Sequence, residues 1–90
     1  LPQTSNMNRK RVLIADDSAL MRQTLRRIIE QDPQLEVCGA ARDGDDAITK
    51  ARELRPDVIT MDINMPKLDG VSALHQIVTE QICPVVMVSS

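Results

Sequence analysis

The 90-residue sequence contains no phenylalanine, tyrosine or tryptophan. Without aromatic rings there is no platform for stacking bases and no cage for quaternary ammonium ligands, and a core must be built from Val, Ile, Leu, Ala and Met. Histidine occurs once, as His75, and cysteine twice, as Cys38 and Cys83, with no Cys-x-x-Cys pair. That set is too small for a zinc centre, and the two thiols read as small apolar residues in a reducing compartment. No apolar run reaches the ~18 residues of a membrane span, so no membrane contact is expected. Residues 1–10 lack the apolar stretch of a secretory signal, which makes the cytoplasm the expected compartment. With 11 basic and 13 acidic side chains the net charge is −2. That leaves no basic footprint and excludes nucleic-acid contact by this segment. What is present, 42% apolar and 27% charged residues, is the mix of one ordinary globular domain.

Residues 1–10 are polar and unpatterned and read as a flexible leader, with the domain in 11–90. Residues 11–15 form a short run apolar on both faces, the pattern of a strand in a buried parallel sheet. Asp16-Asp17-Ser18 then offers cap oxygens to a helix whose apolar stripe is Met21, Leu25, Ile28 and Ile29, ended by Asp32-Pro33. Residues 35–41 are a second strand, weakened by Gly39. Asp43-Gly44-Asp45 opens a helix with Ala47, Ile48, Ala51 and Leu54 inward, stopped at Arg55-Pro56-Asp57. Val58-Ile59-Thr60-Met61 leads into Asp62, and after the loop Asn64-Met65-Pro66-Lys67 a third helix carries Val71, Leu74, Ile77 and Val78 on one side. Pro84 introduces the apolar strand Val85-Val86-Met87-Val88, followed by Ser89-Ser90. Strict alternation with short joins predicts right-handed βαβ units and a parallel sheet covered on both faces. The chain ends on an apolar strand where a doubly wound domain continues, so a partial domain is expected.

In such sheets ligands sit beyond the carboxyl ends of the strands. Asp16, Asp17, Asp62 and Ser89 all fall there. If the first, third and fourth strands adjoin, neighbouring ends lie roughly 5 Å apart, and three carboxylates and a hydroxyl converge. Like charges so close call for a proton or a cation, and an all-oxygen, incomplete ligand set suits Mg²⁺. A carboxylate beside Mg²⁺ is a competent nucleophile toward phosphorus. The alternative is that the three acids are helix caps and loop residues, the commonest fate of Asp at strand-helix joins.

Four segments carry a resemblance to the receiver domain of two-component response regulators: Val12-Leu13-Ile14-Ala15-Asp16-Asp17-Ser18, Ala41-Arg42-Asp43-Gly44, 56–66 with Asp62, and Leu68-Asp69-Gly70. The resemblance implies an α/β, flavodoxin-like doubly wound parallel sheet in the order 2-1-3-4, lacking the fifth strand and last helices. It further implies that Asp62 is the phosphoacceptor, with a phosphohistidine on a histidine kinase as donor. Asp17 matches the main Mg²⁺ ligand, with Asp16 and Asp62 beside it and the backbone carbonyl of Asn64 completing the set. Ser89 matches the switch hydroxyl. The family's lysine at the end of the fifth strand has no counterpart, and Lys67 reads as a solvated loop cation.

Within the family, Asp17-Ser18-Ala19-Leu20-Met21-Arg22 and 84–90 look most like the receivers of chemotaxis protein-glutamate methylesterases, which precede and restrain an esterase output domain. The other readings are the receiver of a DNA-binding response regulator, a non-phosphorylated interaction module, and a metal-dependent phosphatase with an Asp nucleophile. An unpaired fourth strand is also a surface for self-association. Arg22, Arg26 and Arg27 read as a solvated basic face, His75 as a surface residue, and the methionines as core filler. In a 2-1-3-4 order Cys38 and Cys83 lie near strands on the order of 14 Å apart, too far for a disulfide.

Overall fold

The computed structural model describes residues 9–63, 70–80 and 82–88; the expected leader falls on residues outside these, apart from its last two. The elements in chain order are β1 (Lys10–Ala15), α1 (Ala19–Glu30), β2 (Leu35–Ala41), α2 (Gly44–Leu54), β3 (Val58–Asp62), α3 (Gly70–Thr79) and β4 (Val85–Val88). The four strands form one sheet in the order β2-β1-β3-β4, and every neighbouring pair is parallel. No helix among the described residues is long and apolar enough to cross a membrane.

The strand order decides which face each helix covers. The chain steps one way along the sheet from β1 to β2, and the other way from β2 to β3 and from β3 to β4. With right-handed crossovers, α1 must then lie on one face and α2 and α3 on the other. The packing agrees. Leu13, Ala15, Ala41, Ile59 and Met61 form one cluster with Ala47, Ile48 and Ala51 of α2 and Ala73 and Ile77 of α3. Val12 and Ile14, alternating with that set along β1, are buried outside it, and α1 rests against β2 and β1.

Local chemistry fixes the helix ends. Ser18 Oγ accepts from the Met21 amide at 3.2 Å, and Asp43 Oδ1 from the Asp46 amide at 2.8 Å, so each helix start gains a partner for an otherwise orphaned N–H. α2 ends on Arg55, whose φ of 48° is the left-handed conformation that closes many helices. Gly39, which weakens β2 as a sequence pattern, sits where a Cβ would stand 2.8 Å from Leu54 Cδ1, so a side chain there would have to displace the end of Leu54. The β1–β2 register slips beside it, since Val12 pairs with Val37 but Leu13 with Gly39. Cys38 sits at that irregularity and donates to the Val12 carbonyl. Both cysteines are free thiols, pushed upward in pKa chiefly by burial.

Two apolar stripes are placed differently from the sequence expectation. The inward stripe of α3 is Ala73 and Ile77, both fully buried, whereas Val71 and Val78 are each 57% exposed. The small Ala73 lets the helix approach its neighbours, and a position four residues on follows it inward. In α1, Met21, Leu25 and Ile29 are half-buried while Ile28 is 57% exposed. Among the described residues that helix packs mainly on β2 and β1, and Ile28 lies toward the side turned away from them. β4 is an edge strand with Val86 54% exposed.

α2 and α3 are joined at the surface by Arg52 and Glu80. Arg52 Nε donates to Glu80 Oε1 at 2.8 Å and a second guanidinium nitrogen to Oε2, which also accepts from Gln76 Nε2 at 2.6 Å. The hydrogen bond from Arg52, then that from Gln76, hold the Glu80 carboxyl at about 2, below its ordinary 4.5. A carboxylate with a depressed folded-state pKa contributes stability above its unfolded value, and that contribution is lost as pH falls from 4.5 toward 2. Glu80→Gln is therefore expected to change stability little in acid and to lower it modestly at neutral pH. Urea midpoints measured across that range are expected to show a shallower acid decline in the variant.

Candidate metal and phosphoryl site

β1 runs straight into Asp16, and β3 ends on Asp62. The two strands are hydrogen-bonded neighbours, with Ala15 opposite Met61, so the acids leave the same edge of the sheet side by side. Asp17 is the next residue along the turn into α1. One carboxylate oxygen from each of Asp16, Asp17 and Asp62 lies within 4.8 Å of the other two. Asp16 and Asp62 are 3% exposed, whereas Asp17 is open to solvent.

None of these three acids is the N-cap of a described helix. α1 is capped by Ser18, and Asp16 Oδ1 instead accepts the Ser18 amide at 2.9 Å across the turn. Asp16 is held at two further points. Its amide donates to the Ala41 carbonyl at 3.0 Å, and its carbonyl accepts from Arg22 Nη1 at 2.8 Å. Burial pushes the Asp16 carboxyl above its ordinary value, and the charges of Asp62 and Asp17 add to that; the Ser18 amide and Arg22 pull the other way. The metal-free pocket is thus electrostatically unfavourable.

The donor set fits a hard divalent cation. Among the described residues it consists of oxygen atoms alone, carries net negative charge, is open on the Asp17 side, and supplies too few protein ligands to close a shell. Asn64 and Ser89, expected to contribute a carbonyl and a switch hydroxyl, lie outside the described residues, as do Lys67, the Met65-Pro66 turn and Asp69. His75 is exposed on α3. Arg22 is the residue that sequence reading placed wrongly: among three arginines assigned to a solvated face, it is half-buried and turned onto the turn at the pocket. Its place one helical turn after Ser18 was the available signal.

The model of the response regulator receiver domain matches residues 12–90. The chain belongs to that family. It is 68% identical over 80 residues to protein-glutamate methylesterase/protein-glutamine glutaminase 3 of Syntrophomonas wolfei, an alignment covering 89% of this chain and 23% of that protein. Among solved structures it is similar to the response regulator domain of Thermotoga maritima CheB, with 52% identity and a TM-score of 0.88 over 91% of this chain and 61% of that one. It is also similar to a chain of the CheX–CheY–BeF3–Mg²⁺ complex of Borrelia burgdorferi, with 31% identity and a TM-score of 0.81 over 89% of this chain and 61% of that one. The receiver spans about a quarter of the length of its curated methylesterase relatives. Family membership sets aside the phosphatase reading, and the 2-1-3-4 parallel sheet is the fold the family resemblance implied.

Proposed function

We propose that this receiver takes a phosphoryl group on Asp62 from a phosphohistidine of a histidine kinase and relays the change to an output domain in its parent protein. The observation that carries the reading is the convergence of Asp16, Asp17 and Asp62 at the ends of β1 and β3. A carboxylate oxygen of Asp62 attacks phosphorus, an O–P bond forms as the N–P bond of the donor breaks, and the departing imidazole takes up a proton. Asp17 and Asp16, with Asp62 and the Asn64 backbone carbonyl, would hold Mg²⁺. When bound, the ion offsets the charge between the carboxylates and the incoming phosphoryl oxygens. The Mg²⁺ named for the Borrelia complex supports that assignment. Asp62 is buried, and the Ser18 amide and Arg22 keep Asp16 in place.

Ser89 follows β4, the strand beside β3, and is the hydroxyl we assign to the phosphoryl group once it arrives; its movement converts occupancy into a shape change. The identity to the Syntrophomonas methylesterase favours a chemotaxis methylesterase as the parent, acting in the cytoplasm, over a DNA-binding regulator. A pocket that keeps all three acids within 4.8 Å of one another argues against a non-phosphorylated interaction module.

The test is intact mass after incubation with Mg²⁺ and a small phosphodonor. A single phosphoryl adduct is expected, absent without Mg²⁺ and absent in Asp62→Ala. An unaltered mass in the folded protein, or an adduct retained by Asp62→Ala, contradicts the reading.

A further inference from the structure

Asp17 is the most exposed of the three acids and the one assigned most of the work of holding the ion, yet an exposed side chain on a turn is placed only as well as its backbone. The backbone here is fixed by a closed ring of contacts. Asp16 Oδ1 accepts from the Ser18 amide at 2.9 Å. The Ser18 carbonyl accepts from the Arg22 amide at 2.9 Å. Arg22 Nη1 returns to the Asp16 carbonyl at 2.8 Å. That carbonyl belongs to the peptide joining Asp16 to Asp17, so holding its oxygen sets the plane from which the Asp17 side chain departs. The guanidinium is half-buried at this contact, and its first helical turn is capped by Ser18, so it is anchored at both ends.

We propose that Arg22 is a positioning residue for the divalent cation: it fixes the Asp16–Asp17 peptide and thereby aims Asp17 at the ion. The inference rests on the metal site described above and adds to it a residue that touches neither the ion nor the phosphoryl group. Residues that orient metal ligands typically contribute 10- to 100-fold in affinity. Were Arg22 only a nearby positive charge, its removal would tighten cation binding, because two cations repel. Positioning and simple electrostatics therefore predict opposite signs.

The experiment is Mn²⁺ binding followed by electron paramagnetic resonance, with thermal midpoints of the metal-free proteins recorded in parallel. Arg22→Ala is expected to weaken Mn²⁺ about tenfold with little change in the metal-free midpoint. Arg22→Lys, which keeps a donor on a long side chain, is expected to recover part of the loss. Unchanged or tighter binding by Arg22→Ala, or a loss explained entirely by unfolding of the metal-free variant, overturns the role of Arg22 while leaving the site intact. No Mn²⁺ binding by the unsubstituted chain, or equal binding by Asp17→Asn, overturns the site itself and this inference with it.

Discussion

Replacing Leu13 with alanine is expected to lower the unfolding free energy by about 3–5 kcal/mol, a large part of the ~5–15 kcal/mol available to a domain. Leu13 is fully buried at the centre of β1, with Gly39 opposite on β2 and Ile59 opposite on β3. Its Cδ1 lies 3.5 Å from where a Cβ on Gly39 would stand. The neighbours it packs among include Ala15, Ala41, Ala47 and Ala51, side chains too short to move into a void. The cavity would therefore persist, which places the loss toward the upper end of the range. Val71→Ala and Val78→Ala each remove two side-chain carbons, against three at Leu13, from exposed positions and are expected to stay within about 0.5 kcal/mol of the parent. With no aromatic residue in the chain, far-UV circular dichroism in urea is the natural readout. A loss below about 1 kcal/mol at Leu13 would mean that the core is not centred where it is drawn.

Mg²⁺ is expected to raise the thermal midpoint by on the order of ten degrees when present at about a hundred times its dissociation constant, equivalent to about 2.7 kcal/mol. The metal-free pocket works against folding. The Asp16 carboxyl is raised, first by burial and then by Asp62 and Asp17. A carboxyl raised on folding stabilises the protein below its unfolded value of 3.8, and that contribution is lost as pH rises through the folded value. At neutral pH the buried Asp16 carboxylate thus works against folding, a cost that a dication is expected to offset. Asp17→Asn is expected to abolish most of the Mg²⁺-dependent shift. The same substitution relieves repulsion, so the metal-free midpoint is expected to hold or rise. A shift of equal size in Asp17→Asn would locate the ion elsewhere.

The fold was legible in the sequence because its strongest signals are local. β1 is apolar on both faces and ends in two acids, and α2 carries an apolar stripe that the packing reproduces at Ala47, Ile48, Ala51 and half-buried Leu54. The convergence of Asp16, Asp17 and Asp62 depends on β1 lying beside β3, a non-local order that the family resemblance implies and the local pattern leaves open. Three placements were not legible, two of them for the same physical reason. A stripe states that a helix has an apolar side, but the neighbours it meets decide which residues of that side are covered. Ile28 lies at the margin of a stripe whose Met21, Leu25 and Ile29 are half-buried, and in α3 Ile77 points inward as expected while Ala73 takes the place expected of Val71 and Val78. Arg22 depends on a main-chain carbonyl six residues earlier in a turn, and no side-chain pattern encodes a carbonyl. Gly39 is the converse: a weak strand residue by composition, beside which the end of the Leu54 side chain fills the space a Cβ would take.

The most direct test of the central claim is to locate the phosphoryl group. The protein is incubated with Mg²⁺ and a small phosphodonor, reduced with borohydride to convert an acyl phosphate into a stable homoserine, digested, and sequenced by tandem mass spectrometry. Homoserine at position 62, with Asp16, Asp17 and His75 unmodified, is the result predicted. Modification at Asp16 or Asp17 in place of Asp62, or a phosphoryl group on His75, would contradict it.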